Sequence, residues 1–410
     1  MARSARKSPR PLAGIRVLDF SQVLAGPYAG MLLAGLGAEV VKVEAPEGDI
    51  SRSMGPPYVG GSGTLFLSVN RNKKSLVLDL KRPEAQSVLR RVVEAADVLL
   101  HNFRPRAARK LGLDHATLAA INPRLVYATV SAFGADGPEA ERPGLDAVLQ
   151  AMGGLMSLTG PVHGGPCKAG ASVVDVATGI FAALGVVAAL VERAASGRGS
   201  RVGGSLLDTV LALQGSIFTY ASVLGSDPER VGNGSYFTLT NRFATRDGWI
   251  VISLPTSRFW TRLCRALGDA RIERDPRFAT NRGRVLHARA LESALRRVFR
   301  RRRSAEWLAL LGREEVPCGP VLRYHEVTAQ AQVRHNGLLK MDRFGKRPPY
   351  RVVRSPVRMR GFLMDGERAA PALGAHTTEV LRAANFTPAE IRALRRSGLT
   401  TPRPIDLERY

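Results

Sequence analysis

Two aspartates stand where a carboxylate can do chemistry. Asp175 lies in KAGASVVDVATGIFAAL, at the junction between an apolar run and a long helix expected from about Val176 to Ala195. Its side chain therefore falls at or near a helix N-terminus, where capping is the ordinary role of an aspartate. The same place suits a nucleophile, because the positive helix end keeps a carboxylate ionised and free N–H groups there can receive an oxyanion. Asp146, in RPGLDAVLQAMGG, opens another helical stretch and has the same two readings. Around them, the glycines of AMGGLMSLTGPVHGGPCKAGAS let the backbone approach a ligand closely. Lys81, Arg104, Arg106, Arg109 and Lys110 follow expected strand ends or lie on the helix beyond them. Each alone is a surface charge; together they can hold several phosphates.

Other chemistries lack their residues. No GxGxxG follows the first expected strand and no GxxxxGK[ST] occurs, which argues against dinucleotide and phosphate-loop enzymes. HExxH, clustered His/Cys ligands and GxSxG are also absent from the sequence, so no metal site is expected. The three cysteines, Cys167, Cys264 and Cys318, are too scattered for a disulfide framework. A formal charge of +25 favours anionic partners. The arginines run along the whole chain, however, with one dense cluster at Arg296, Arg297 and Arg300 to Arg303, and no nucleic-acid motif accompanies them. The opening MARSARKSPRP has no apolar stretch, and the longest apolar run, around Ile180 to Leu190, is shorter than a membrane span and broken by Gly185. We expect a cytoplasmic protein with neither nucleic acid nor membrane as partner.

The elements that must position the aspartates read as an alternation. GIRVLDF, AEVVKVE, KSLVLDLK, DVLLHNF and PRLVYATVSAFG are strand-like, with helical stretches such as YAGMLLAGLG and PEAQSVLRRVVEAA between them. This pattern predicts an α/β fold with a Rossmann-like, doubly wound parallel sheet. Ligands bind beyond the carboxyl ends of such strands, which here carry SQVLAGP, EAPEGD, HNFRPR and SAFGADGP. The texture changes near Asp227. The expected organisation is a basic disordered tail over 1–11, a large domain over 12–226, a smaller inserted α+β domain over 227–335, and a C-terminal segment, 336–410, returning to the large domain.

Several stretches together resemble the family III CoA-transferases, the group of formyl-CoA transferase and carnitine CoA-transferase, to which α-methylacyl-CoA racemase is related. They are VLDFSQVLAGPYAGMLLAGLGAEVVKVEAPEGD, NKKSLVLDLK, ADVLLHNFRPRAARKLGL, NPRLVYATVSAFGADGP, RPGLDAVLQAMGGLMSLTG, DPRFATN, VPCGPV and LGAHTTEVL, in family order over nearly the whole chain. The resemblance implies that Asp175 is the catalytic nucleophile. It places the coenzyme contacts at Leu24, Ala25, Lys81, Asn102, Phe103, Arg104 and Lys110, with Asp146 beside them. It also implies an interlocked homodimer, no permanently bound cofactor, and coenzyme A thioesters and small carboxylic acids, such as the dicarboxylate succinate, as substrates.

The implied reaction is an acyl-CoA:carboxylate CoA transfer through aspartyl anhydride and aspartyl-CoA thioester intermediates. Three departures qualify the match. A family arginine after the second strand corresponds to Ala45, and the glycine-rich lid of formyl-CoA transferase has no match between Gly203 and Leu267. The racemase branch needs a histidine where Leu145 stands, and a leucine cannot exchange a proton. A racemase or epimerase is thus the alternative reading within enzymes; a non-catalytic basic protein binding CoA or nucleic acid is the alternative of another class. Leu145, Met152, Met156 and the loop from Asn233 to Thr240 are candidates for an acyl pocket.

Overall fold

The computed structural model describes residues 10–359, 362–364 and 368–408. Most of the expected N-terminal tail, residues 1–9, lies outside the described residues. The chain forms two compact units: Met1–Gly154 with Ala169–Gly215 and Arg334–Tyr410, and Leu155–Lys168 with Ser216–Val333. The second unit thus begins before the change of texture at Asp227 and includes residues 155–168, which no shift of composition announces.

In the first unit, β1 (Arg16–Asp19), β2 (Glu39–Glu44), β3 (Lys74–Val77), β4 (Val98–His101), β5 (Val126–Ser131) and β6 (Arg201–Ser205) form one sheet in the order β3-β2-β1-β4-β5-β6. Every pairing in it is parallel. This is the order of a Rossmann-type doubly wound sheet, and it reverses between β1 and β4. Apolar β-branched runs explain the five inner and early strands: Val17, Val40, Leu76, Leu99 and Val126 are all buried. The sixth strand is different. Its sequence, RVGGS, carries two glycines that weaken a strand, and no strand is expected there from the sequence. Pairing with β5 holds it, with Tyr127 opposite Arg201 and Ser131 opposite Ser205.

Helix α1 (Ala25–Gly35) follows β1, and α5 (Val173–Ser196) packs against it and against the sheet. By length and composition α5 could cross a bilayer. Its inner face, including Val174, Thr178, Ala182 and Val186, is buried in this unit, and its last turn carries Arg193 paired with Asp97 at 2.9 Å. The C-terminal segment returns to cover the free edge of β3. Ser75 N donates to His376 Nδ1 at 3.2 Å, Val77 N donates to Thr377 Oγ1 at 3.2 Å, and His376 N donates to Ser75 O at 3.0 Å. An exposed edge strand is thereby satisfied within the chain.

The second unit is α+β. Its antiparallel sheet has the order β9-β8-β7, with β7 at Leu239–Ala244, β8 at Trp249–Leu254 and β9 at Cys318–Pro320. Helices Ser257–Leu267, Ala288–Phe299 and Ser304–Arg313 cover it. Phe299 anchors that core between Phe243 and Trp307, with ring centroids 5.0 and 5.1 Å away, and its carbonyl accepts from Trp307 Nε1 at 2.7 Å. A cavity of about 750 Å³ opens in this unit, and the loop from Asn233 to Thr240 lines it.

Candidate active site

Helix α5 begins earlier than its apolar pattern suggests, so Asp175 is its third residue rather than the cap; Ser172 holds the cap position and makes no capping hydrogen bond. The cap comes from elsewhere in the chain. Asp146, first residue of α4 (Asp146–Met152), accepts at Oδ1 from Val174 N at 2.9 Å and from Asp175 N at 3.2 Å. Its Oδ2 accepts from Gln150 Nε2 at 2.6 Å, one turn along α4, and Gln150 Oε1 accepts from Ala169 N at 2.8 Å. Val173 N donates to Ala171 O and Val176 N to Ser172 O. The N–H groups of Val173, Val174 and Asp175, the helical residues whose N–H groups have no partner within the helix, are therefore taken. The expectation that this helix start offers donors to an oxyanion is corrected by that count.

Asp175 is half-buried, and no cation pairs with it among the described residues. Burial, followed by the negative charge of Asp146, pushes its carboxyl up to about 7. Desolvation and a like charge both disfavour ionisation. The result is a carboxylate that is about half ionised at neutral pH and more basic than a solvated one.

A free helix start does exist, at α1. Leu24, its cap residue, makes no side-chain capping bond, Pro27 has no N–H, and the N–H groups of Leu24, Ala25 and Gly26 meet no acceptor among the described residues. The turn that presents them bends through Val23 at φ +70, a conformation rare for a β-branched residue. Val23 N donates to Asp49 Oδ1 at 3.3 Å. Helix α5 meets this segment closely: a Cβ placed on Gly179, one turn after Asp175, would lie 2.6 Å from Ala25 O. The signal for Gly179 was its spacing of four from Asp175, which puts both on one side of the helix.

Beneath the turn lies a network of fully buried ions at the carboxyl ends of β1 and β2. Lys73 Nζ meets Asp19 Oδ2 at 2.7 Å, and Lys42 Nζ meets Asp49 Oδ2 at 2.7 Å. Arg52 grips Glu44 with two bonds of 2.8 Å. Lys42 also donates to Ser21 O and Ser21 Oγ to Asp19 Oδ1, so the ions fix the SQVLAGP backbone directly. Burial opposes the charge of Glu44 and Asp49, yet Arg52 and Lys42 hold both carboxyls below the ordinary range. For Lys73 burial prevails, and its ammonium is pushed down to about 8 despite Asp19.

Across the switch point, Asn102 ties the loop after β4 to the loop after β1: its Oδ1 accepts from Gln22 N at 2.8 Å and its Nδ2 donates to Gln22 O at 2.7 Å. Phe103 N donates to His101 Nδ1 at 3.2 Å, which leaves the ring proton on Nε2, facing Tyr127 Oη at 2.6 Å. Tyr127 in turn donates to Leu113 O at 2.9 Å. Burial pushes His101 down to about 4, so it stays neutral and structural. Sequence reasoning passed over His101 and Gln150.

The structure thus brings Leu24, Ala25, Asn102 and Phe103 together at the sheet's switch point. Arg104 is exposed beside Asn102 and donates to Glu141 O at 3.1 Å. Lys81, beyond β3, and Lys110, ending the short helix Pro105–Lys110, are exposed with no ion pair among the described residues. Asp146 is 7% exposed and spends both oxygens on the chain itself, so its part is to hold α5. Leu145 and Met152 are exposed in the first unit; Met156 belongs to the second.

A Rossmann-type sheet with a half-buried carboxylate and an uncapped helix start near its switch point forms an α/β ligand site, and comparison with known proteins gives its class. The model of CoA-transferase family III matches residues 12–377, and the chain belongs to that family. It is 36% identical to the succinate–glutarate CoA-transferase of Agrobacterium fabrum, over 90% of this chain and 95% of that one. It is 36% identical to the acetyl-CoA:oxalate CoA-transferase of Acetobacter aceti, over 81% and 86%. The crystal structure of a CAIB/BAIF family protein from Brucella suis superposes with a TM-score of 0.82 at 33% identity, covering 91% of this chain and 99% of that one. The protein is a CoA-transferase acting on coenzyme A thioesters.

Proposed function

We propose that Asp175 carries the coenzyme between a dicarboxylic acyl-CoA and a second carboxylic acid, with succinyl-CoA and glutarate as the first pair to test. The observation that carries this reading is the placement of Asp175, half-buried at a helix start whose Val174 and Asp175 N–H groups are spent on Asp146, where burial and the Asp146 charge push its pKa up to about 7. Such a carboxylate is poorly solvated and correspondingly nucleophilic once its proton has left. The names of relatives, which include transferases of succinate, glutarate and oxalate, support the substrate class.

In the proposed sequence, an Asp175 oxygen attacks the thioester carbonyl, the carbon–sulfur bond breaks, and the coenzyme leaves as thiolate from an acyl-aspartyl anhydride. The thiolate attacks the aspartyl carbonyl, releasing the donor acid and leaving an aspartyl-CoA thioester. The acceptor carboxylate attacks that thioester, forming a second anhydride and freeing the thiolate again. Attack of the thiolate on the acceptor's carbonyl yields the new acyl-CoA and returns Asp175 as a carboxylate. The thioester is exchanged and never hydrolysed, so atoms and charge balance without an outside reductant or nucleotide. We assign the oxyanions to the uncommitted N–H groups of Leu24, Ala25 and Gly26, where the positive end of α1 adds to their effect. Asn102, which latches the two loops, would keep those donors in register.

A homodimer forms part of the same proposal. The outer face of α5 exposes Ile180, Leu184 and Val191, at 48, 62 and 68%. A row of large apolar side chains on one helix is the pattern of a face covered by another chain. Light scattering at micromolar protein should give twice the chain mass.

Incubation with succinyl-CoA in the absence of acceptor, followed by peptide mass spectrometry after hydroxylamine, tests the chemistry. A hydroxamate on Asp175 is expected; transfer to glutarate with no modification of Asp175 under any trapping condition would overturn the covalent mechanism.

A further inference from the structure

The cavity of the second unit has a wall rich in guanidinium groups. Six arginines and two glutamates line its 750 Å³. Arg289, Arg296 and Arg300 follow one stripe along the helix Ala288–Phe299 and its C-cap, while Arg230, Arg242 and Arg284 enter from other segments. One of the glutamates is already engaged: Glu292 accepts from Asn241 Nδ2 at 2.5 Å and pairs with Arg296 at 3.4 Å.

Arg284 is the anomaly. It is 1% exposed, and no carboxylate pairs with it among the described residues. Its Nη1 donates to the carbonyls of Phe278 and Ala279 at 2.8 and 3.3 Å, its Nη2 to Ser257 Oγ at 3.2 Å, and its Nε is enclosed with no acceptor. Burial pushes this guanidinium below its ordinary value. Nε and Nη1 of Arg230 are likewise enclosed without acceptors. Buried cationic N–H groups without partners are costly, and an anion in the cavity would satisfy them. Tyr220, Tyr236 and Trp249 add aromatic rings to the lining. Tyr220 and Tyr236 have centroids 5.3 Å apart, and the guanidinium of Arg242 lies 4.4 Å over Trp249.

We propose that this cavity binds a phosphorylated nucleoside, with phosphates on the arginines and the base against the aromatic wall. Planar guanidinium forks match phosphate oxygens, and aromatic faces accept any base. A small dicarboxylate would occupy two guanidiniums, leave the rings bare and fill little of a space sized for a larger ligand. Free nucleotides and the nucleotide end of coenzyme A share this chemistry. The site is built from the second unit alone and does not depend on the covalent steps at Asp175.

Titration calorimetry of the full chain with ADP, 3′,5′-ADP, coenzyme A and succinate tests the proposal, repeated on the double variant Arg289→Glu with Arg296→Glu. Both side chains are exposed, so the fold should persist, and circular dichroism checks it. Saturable binding of ADP or 3′,5′-ADP is expected, weakened roughly ten-fold or more in the variant. Loss of coenzyme A affinity in parallel assigns the site to the coenzyme; coenzyme affinity unchanged beside lost ADP affinity assigns it to a free nucleotide. The single variant Trp249→Leu should weaken the base-bearing ligands while sparing inorganic pyrophosphate. No nucleotide binding to the wild type, nucleotide affinity unchanged in the double variant, or succinate binding where nucleotides do not, would each overturn the proposal.

Discussion

The first unit buries carboxylates in two places and treats them oppositely. Under the SQVLAGP turn, Asp19, Glu44 and Asp49 each meet a lysine or arginine within 2.8 Å, and Glu44 and Asp49 are held below the ordinary carboxylate range. At the start of α5, Asp175 meets no cation among the described residues and faces a second carboxylate, and its pKa is pushed up to about 7. Burial is the first influence in both places and raises both. Partners decide the outcome: a paired ion becomes a fixed support, and an unpaired one keeps its reactivity at neutral pH.

The largest effect expected from breaking this contrast is at Asp175 itself. Asp175→Ala should lower kcat by roughly 10⁵-fold or more, the scale of losing a nucleophile, with coenzyme affinity nearly unchanged. Steady-state transfer and coenzyme titration on the purified variant measure the two. Next comes the support. Arg52→Ala would strand Glu44, which is sealed from solvent, and should cost about 3–5 kcal/mol in urea unfolding. The same experiment on Asp175→Asn should show the reverse sign at high pH. A carboxyl raised in the folded state stabilises it fully below the unfolded value near 4, and this contribution is lost as pH rises through about 7. Asp175→Asn should therefore gain stability relative to wild type at pH 8 and little at pH 5, whereas Glu44 and Asp49 contribute above their unfolded values and lose that contribution only in acid.

Two smaller effects sharpen the contrast. kcat/KM for the acyl-CoA should fall about ten-fold per unit below a midpoint near 7 and level off above it, as for one essential base. Asp146→Asn keeps an oxygen to cap α5 and removes the charge, so the midpoint should move to lower pH by less than the whole elevation, because burial is the larger cause. A midpoint that does not move would assign the shift to burial alone.

Much of the fold was legible. Five strands announced themselves by apolar runs, and the loops at their carboxyl ends were placed correctly because a parallel sheet leaves few topologies. β6 escaped because RVGGS has neither the β-branched density nor the alternation of a strand; pairing with β5 makes it one. The apolar run SLLDTVLALQGSIFTYASVL has the pattern of one helix, yet the helix stops at Leu213, and a second begins at Gly215. Asp175 was visible as a residue at a helix start. Its cap was not, since Asp146 reaches Val174 across 28 positions, and only the spacing of Asp146 and Gln150 hinted that α4 turns polar atoms inward. The buried ions were equally hidden: in sequence Lys42, Arg52 and Lys73 look like any other of the chain's sixty lysines and arginines, and burial alone distinguishes them.

At Gly179 the two helices touch with no side chain between them. A methyl group there would fall 2.6 Å from Ala25 O and 3.1 Å from the ring of Tyr28. The absent carbon acts as a gauge. It sets the clearance between the helix bearing Asp175 and the turn that bears Leu24 and Ala25, and it does so one turn away from the Asp175 carboxyl. The spacing of Asp175 from the free N–H groups of that turn is thus a manufacturing tolerance of less than one methyl group, kept by a residue that contributes nothing except its size.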